Sequence, residues 1–413
     1  MSMTDPTMTP ITIPDDVAER VLAAIDPEET IALLRELVRI PSVNPPGDVR
    51  DAIGVCQRVL AAAGFACEVV SRDETMPNLI ASFGEGDGPT LCFNAHVDVV
   101  PTGEESAWTH APFGAEVADG RVYGRGAGDD KASVTAQVMA AVALARSGIA
   151  LRGRLIVNEV ADEEVGGVQG AAYIVGDGLI RADMVIVGEQ TMNRVCVGEK
   201  GSAGQVVTVY GRAAHGALPR EGANAIEGAA LVIVALRERL WPRLADRTHR
   251  YFHPSSASIN MIDGGVKSNV VADRCSFMID RRLVPGEDPS DVQTEIRAIA
   301  EETVAAIPGL RVTVESPHET GPASMADPTS DLVRAMLAAN ARLGLDGDLT
   351  GFSMASDGRF FARAGMPTII YGPGDPKLAH VPDEWVGIDE VLEATRAYAL
   401  AAVAILGGDA APT

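Results

Sequence analysis

Four short apolar runs in this chain each lead to side chains able to bind a cation. TLCFNA leads to His96 and Asp98, and RLIVNEV to Asp162, Glu163 and Glu164. MVIV leads to Glu189, and PTIIYG, through a Gly/Pro loop, to His380. Runs of this length with helical stretches between them predict an α/β fold: a mostly parallel sheet with helices on both faces. Ligands of such sheets bind beyond the carboxyl ends of the strands. These side chains are therefore expected to converge on one rim, although they are scattered along the sequence. A fifth segment, GRGAGDDK, sets Asp129 and Asp130 at the start of the helix ASVTAQVMAAVALARSG.

A chain of 413 residues is long for one core, so two domains are expected. Residues up to about 25 read as a frayed lead-in. Asp26 and Pro27 are a favoured helix start, continued by Ile31, Leu33, Leu34, Leu37 and Val38. A second helix ends at Gly64, and CEVVS and NLIASF read as strands of the alternating pattern. The pattern changes near residue 200. QVVTVYG, a helix from about Asn224 to Leu240, SASINMID, CSFMIDRRL, a helix from about Ser290 to Ile307, and RVTVES give βαββαβ, the order of an α+β ferredoxin-like sandwich. The expected organisation is a catalytic domain over 1–199 and 318–413, with a lid or dimerisation domain inserted over 200–317. The terminal LGGDAAPT is expected to be mobile.

The formal net charge of −23 opposes binding to nucleic acid or anionic lipid. The 5 cysteines form no C-x-x-C pair and lie mostly in apolar contexts, which fits free thiols in a reducing compartment. The first residues carry neither a basic nor an apolar signal region, and no apolar stretch has the length of a membrane span. These features make a cytoplasmic protein the expectation.

Taken singly, each site candidate has a plain structural explanation: His96 as a core histidine, Asp129 and Asp130 as helix caps, Glu163 and Glu164 as loop charges, His380 as a surface residue. Their common position after strand ends weighs against that explanation for all of them together. Imidazoles and carboxylates without thiolate suit zinc, and cobalt or manganese as well. Two divalent ions would balance Asp129, Glu164, Glu189 and a hydroxide, whereas one ion would leave excess buried carboxylate.

The segments FNAHVDVVP, GRGAGDDK, VADEEVGG, VGE and AHVPDE resemble those of the zinc metallohydrolase family of aminoacylase, acetylornithine deacetylase, succinyl-diaminopimelate desuccinylase and glutamate carboxypeptidase. The likeness spans most of the chain. It implies two Zn2+ per subunit, with His96 and Glu189 on one ion, Glu164 and His380 on the other, and Asp129 bridging both. It implies that Asp98 hydrogen-bonds His96 and fixes its tautomer, that Glu163 is the general base, and that the Asp129–Asp130 peptide is cis. His215, in GRAAHGALP, would serve as an oxyanion donor in a neighbouring subunit's site. Asn269 and Arg282 would hold a substrate carboxylate, for which a guanidinium is well shaped. The implied protein is a homodimer through the inserted domain, acting on a small N-acyl amino acid or, alternatively, a short peptide. Two positions depart from the family pattern: Ala132 follows Lys131 where glycine is frequent, and Met354-Ala355-Ser356-Asp357 replaces a Gly-Gly-Thr-Asp or Arg-Ser-Asp segment.

Other classes are weaker. Gly351-Phe352-Ser353-Met354-Ala355 approaches a serine-nucleophile elbow but lacks its second glycine. GRGAGD alone is a weak nucleotide-binding signal. A non-catalytic metal-binding protein would be favoured by a missing ligand or base, and none is missing.

Overall fold

A computed structural model of the protein describes residues 11–316 and 321–407. The start of the lead-in and the tail from residue 408 lie outside the described residues. The chain divides into two compact units. The larger runs to Gly198 and resumes over Met325–Phe352 and from Ser356, while the smaller spans Glu199–Ser324 and includes Ser353–Ala355.

The larger unit is built on a nine-stranded sheet. From one edge its first six strands are Ala66–Val70, Asn78–Phe83, Arg154–Val160, Thr90–His96, Met184–Gly188 and Thr368–Tyr371. The last four of these run parallel, so their carboxyl ends share one edge. The first two form an antiparallel hairpin, and Asn78–Phe83 is also antiparallel to Arg154–Val160. The alternating pattern had pointed to parallel strands there. The connection between the first two is too short for a parallel crossover, which needs about a dozen residues. Every residue of Thr368–Tyr371 is buried, as are all but the first of Thr90–His96 and Arg154–Val160. Strands without a solvent face are covered by helices on both sides.

The helix Lys131–Ser147 is buried from Lys131 through Leu144, and Ile388–Leu406 packs along it. A helix apolar around its whole circumference belongs in the interior. Asp26 caps Pro27–Val38 by accepting from the Glu28 and Glu29 amides at 2.9 and 3.1 Å. Asp15–Ala23 is a helix burying Val17, Ala18 and Val21, where a frayed lead-in was expected. Its N-cap is Pro14, without a side-chain hydrogen bond, so it lacks the usual start signal.

The smaller unit has the strand order Ser256–Gly264, Arg274–Leu283, Gln205–Tyr210, Arg311–Glu315, all antiparallel. In chain order this is 2-3-1-4, the ferredoxin-like arrangement that βαββαβ anticipates. Arg274–Leu283 alternates in exposure, and its Cys275, Phe277, Ile279 and Leu283 join a core with Ala225–Arg239 and Pro289–Ala305. The edge strand leaves Met261 and Ile262 exposed. All five cysteines are free. No helix among the described residues is long and apolar enough to cross a membrane.

Candidate metal centre

The shared carboxyl edge of the parallel strands gathers the acidic and imidazole side chains. His96 closes its strand, Glu189 follows Met184–Gly188, and Arg154–Val160 turns through Asp162 into the Glu163–Val165 helical turn. Asp162 has φ 71°, a left-handed conformation that bends the chain sharply after the strand. Its carboxylate accepts the Gln169 amide at 2.9 Å and so holds the loop. Gly167 must be glycine: a Cβ there would lie 2.7 Å from Asp357 Oδ1. Asp129 lies one residue before Asp130, the N-cap of the Lys131–Ser147 helix, and the Asp129–Asp130 peptide is cis. His380 follows the loop after Thr368–Tyr371.

Two groups of ligand-capable atoms result. Those of His96, Asp129 and Glu189 all lie within 4.8 Å of one another, and so do those of Asp129, Glu164 and His380. Asp129 belongs to both. His96 Nε2 is 3.2 Å from Asp129 Oδ1, while His380 Nε2 is 3.3 Å from both Asp129 Oδ2 and Glu164 Oε2. Glu164 Oε1 is buried without a hydrogen-bond partner. Buried, clustered carboxylates with an orphaned oxygen are what a cation would complete.

The electrostatics describe a site short of positive charge. Burial, with Asp129, Asp130 and Glu163 adding, holds Glu189 well above the usual carboxylate range. Burial also raises Glu163, with Asp357 and Glu164 adding and His96 and Arg359 opposing. Burial alone would lower His96, but the Asp129 carboxylate it meets at Nε2 and the nearby Asp98 carboxylate outweigh it and raise the imidazole well above its ordinary value. His380, half exposed, is pushed up to about 10 by Asp129 and Glu164.

Asp98 meets the imidazole through its backbone. His96 Nδ1 meets the Asp98 backbone carbonyl at 3.0 Å, while the carboxylate stands 3.6 Å away, outside hydrogen-bond range. The carboxylate instead accepts Asn44 Nδ2 at 2.9 Å and the Glu163 and Glu164 amides at 3.2 and 3.3 Å. It therefore fixes the turn that carries both glutamates.

The remaining candidates lie in the smaller unit. His215 and Asn269 are neighbours: the Gly216 amide donates to the Asn269 carbonyl at 2.8 Å, and both side chains are exposed. Arg282 is held by Asp280 through Nε–Oδ1 and Nη2–Oδ2 bonds of 3.0 and 3.2 Å. Arg281, on the other face of the strand, is buried and paired with Glu287.

Two residues near Glu163 carry no role in the sequence reading. Arg359 donates to the Ser356 and Gly166 carbonyls at 2.7 and 3.2 Å and brings its guanidinium 3.8 Å from Glu163. Asp357, one of the departure positions, is buried with both oxygens unpartnered, and burial pushes it up to about 7. No local pattern marks Arg359, because Gly166 and Glu163 lie nearly two hundred positions away.

Residues 92–404 match the family model for peptidase family M20/M25/M40. The chain is similar to succinyl-diaminopimelate desuccinylase of Caulobacter sp. (strain K31), at 33% identity over 90% of this chain and 94% of that protein. Its fold is similar to that of aminopeptidase PepT from Bacillus cereus ATCC 10987, with a TM-score of 0.74, 20% identity, and coverage of 92% of this chain and 99% of that one. The Bacillus subtilis YXEP protein, a dinuclear metal-binding peptidase, aligns with a TM-score of 0.68 at 18% identity over 92% of this chain and 98% of its own.

Proposed function

This chain belongs to peptidase family M20/M25/M40 and is a hydrolase of amide bonds; on that premise we propose that it is a two-zinc deacylase of small N-acyl amino acids, of the succinyl-diaminopimelate desuccinylase type. The observation that carries this reading is the sharing of Asp129 between two ligand groups. In it, His96, Glu189 and Asp129 would hold one ion and Asp129, Glu164 and His380 the other, and cobalt or manganese would also fit. Bound cations would supply Lewis acidity toward the amide oxygen and a more acidic water.

The chain's own residues supply the proton chemistry. Glu163 is not needed as a ligand and is held near the ligand cluster by the turn that Asp98 anchors. It accepts a proton from the attacking water as the new C–O bond forms. It then delivers that proton to the amine nitrogen as the C–N bond breaks. Arg282 takes the substrate carboxylate, exchanging its Asp280 partner for it, and Asn269 supplies an amide contact. His215 donates to the developing oxyanion from a partner subunit.

A cytoplasmic homodimer completes the reading. Met261 and Ile262 on the edge strand, with Leu231 and Val234 on the helix of the smaller unit, support it as exposed apolar residues. A short-peptide substrate is the second reading, favoured by structural similarity to peptidases. The test is metal analysis together with amine release from a panel of N-succinyl and N-acetyl amino acids and dipeptides. Chelator-sensitive release from the acyl compounds is expected. Dipeptide cleavage alone would favour the second reading, and no release with zinc, cobalt or manganese would end both.

A further inference from the structure

Beside the ligand groups lies an ion pair withdrawn from solvent. The Arg125 and Glu384 side chains are 2% and 0% exposed, and Arg125 Nη1 meets Glu384 Oε2 at 2.5 Å. The other carboxylate oxygen, Oε1, accepts two backbone amides: Gly128 at 2.9 Å and Asp129 at 3.0 Å. Arg125 Nη1 also donates to the Val381 carbonyl at 3.4 Å, and the guanidinium lies over the Trp108 ring. Asp383, adjacent to Glu384, accepts the Thr109 and His110 amides at 2.7 and 3.0 Å. One carboxylate thus ties the loop that carries Asp129 to the loop that carries His380.

A buried ion pair is poor evidence of stabilisation, since apolar residues of similar volume often serve as well or better. What an apolar pair cannot do is accept two amide hydrogens at the same point. Gly128 and Asp129 belong to an irregular turn before a helix, and without Glu384 their amides would be buried and unpaired. The turn is closely packed there, since a Cβ on Gly128 would fall 2.5 Å from Gln190 Nε2.

We propose that Glu384, oriented by Arg125, is a positioning residue that sets the Asp129 backbone against the His380 loop and thereby fixes the spacing of the shared cation site. The inference rests on the two-metal reading above. Asp129 is the one side chain common to both ligand groups, so displacement of its loop disturbs both ions together. Outer-shell partners of ligands commonly change metal affinity by about 10–100-fold.

The experiment uses the full chain, stripped of metal. Zn2+ affinity and stoichiometry are read by chelator competition, and folding by circular dichroism and thermal melting. Arg125→Met combined with Glu384→Leu removes the acceptor without leaving a buried charge. A second variant, Arg125→Met with Glu384→Gln, keeps an oxygen for both amides and likewise leaves no buried charge. The double variant is expected to fold and to bind both ions about 10–100-fold more weakly, with the second variant recovering most of the loss. Wild-type affinity in the folded double variant would overturn the inference. So would its failure to fold, which would assign the pair to folding instead. Wild-type protein that binds no divalent ion would sink the two-metal reading itself, and this inference with it.

Discussion

Glu163 sits among charges of both signs: Arg359 at 3.8 Å on one side, and Asp357 and Glu164 raising its proton affinity on the other. A general base works best when its proton affinity is neither too weak nor too strong for the working pH. Glu163→Gln preserves shape and removes the base. It is expected to retain bound metal while turnover falls by about 10²–10⁴-fold. Metal content at the wild-type level with unchanged turnover would remove the role. The imidazoles give a second prediction. His380 is pushed up to about 10, so without metal it holds a proton at neutral pH, and His96 and Glu189 are shifted the same way. A cation must displace bound protons, so affinity should rise with pH and binding should release protons. Calorimetry in buffers of differing ionisation enthalpy measures the release, and a pH-independent affinity with none released would contradict it.

At the scale of elements, glycine reports how closely helix and sheet approach. A Cβ on Gly188 would lie 2.5 Å from Ser133 Cβ of the buried helix and 3.1 Å from Ala95 Cβ of the next strand. Gly188→Ala is expected to cost about 1–3 kcal/mol by overpacking and, next to Glu189, to weaken metal binding. Gly54, inside the Arg50–Ala62 helix, has nothing within 4 Å of a Cβ. The same change there should stabilise by about 0.5–1 kcal/mol. Denaturant melts of the two variants check the signs, and equal shifts would refute the packing argument. What could be read in the sequence follows the same division. Strand-end residues such as His96 and Glu189 were legible because an apolar run followed by a polar stop is a local signal. The Ile388–Leu406 helix was not, because YALAAVAIL is almost continuously apolar and shows no helical spacing. Arg125 and Glu384 were illegible for another reason. A buried pair 259 positions apart looks, in each local window, like two ordinary solvated charges. At Asp98 only the proximity to His96 was legible; the carboxylate's bonds to Asn44 and to two amides on a different strand's exit loop leave no local signal.

The whole molecule has its candidate chemistry divided between two units. The cation ligands and Glu163 belong to the larger, and His215, Asn269 and Arg282 to the smaller. The proposed dimer accounts for that division, because a two-fold assembly lets one chain complete the site of the other. Exposed Met261, Ile262, Leu231 and Val234 all lie in the smaller unit, and charging them should separate the subunits. Met261→Asp with Leu231→Asp is expected to halve the mass seen by light scattering and to abolish turnover while metal stays bound. Complementation is the sharper test. His215→Ala and Glu163→Gln should each be nearly inactive alone. Mixed and allowed to exchange subunits, about half the dimers become hybrid. Each hybrid holds one site with both an intact Glu163 and an intact partner His215, so roughly a quarter of wild-type activity should return. Recovery requires that the two residues act from different chains. If His215 served the site of its own chain, every hybrid site would carry one of the two lesions and mixing would restore nothing.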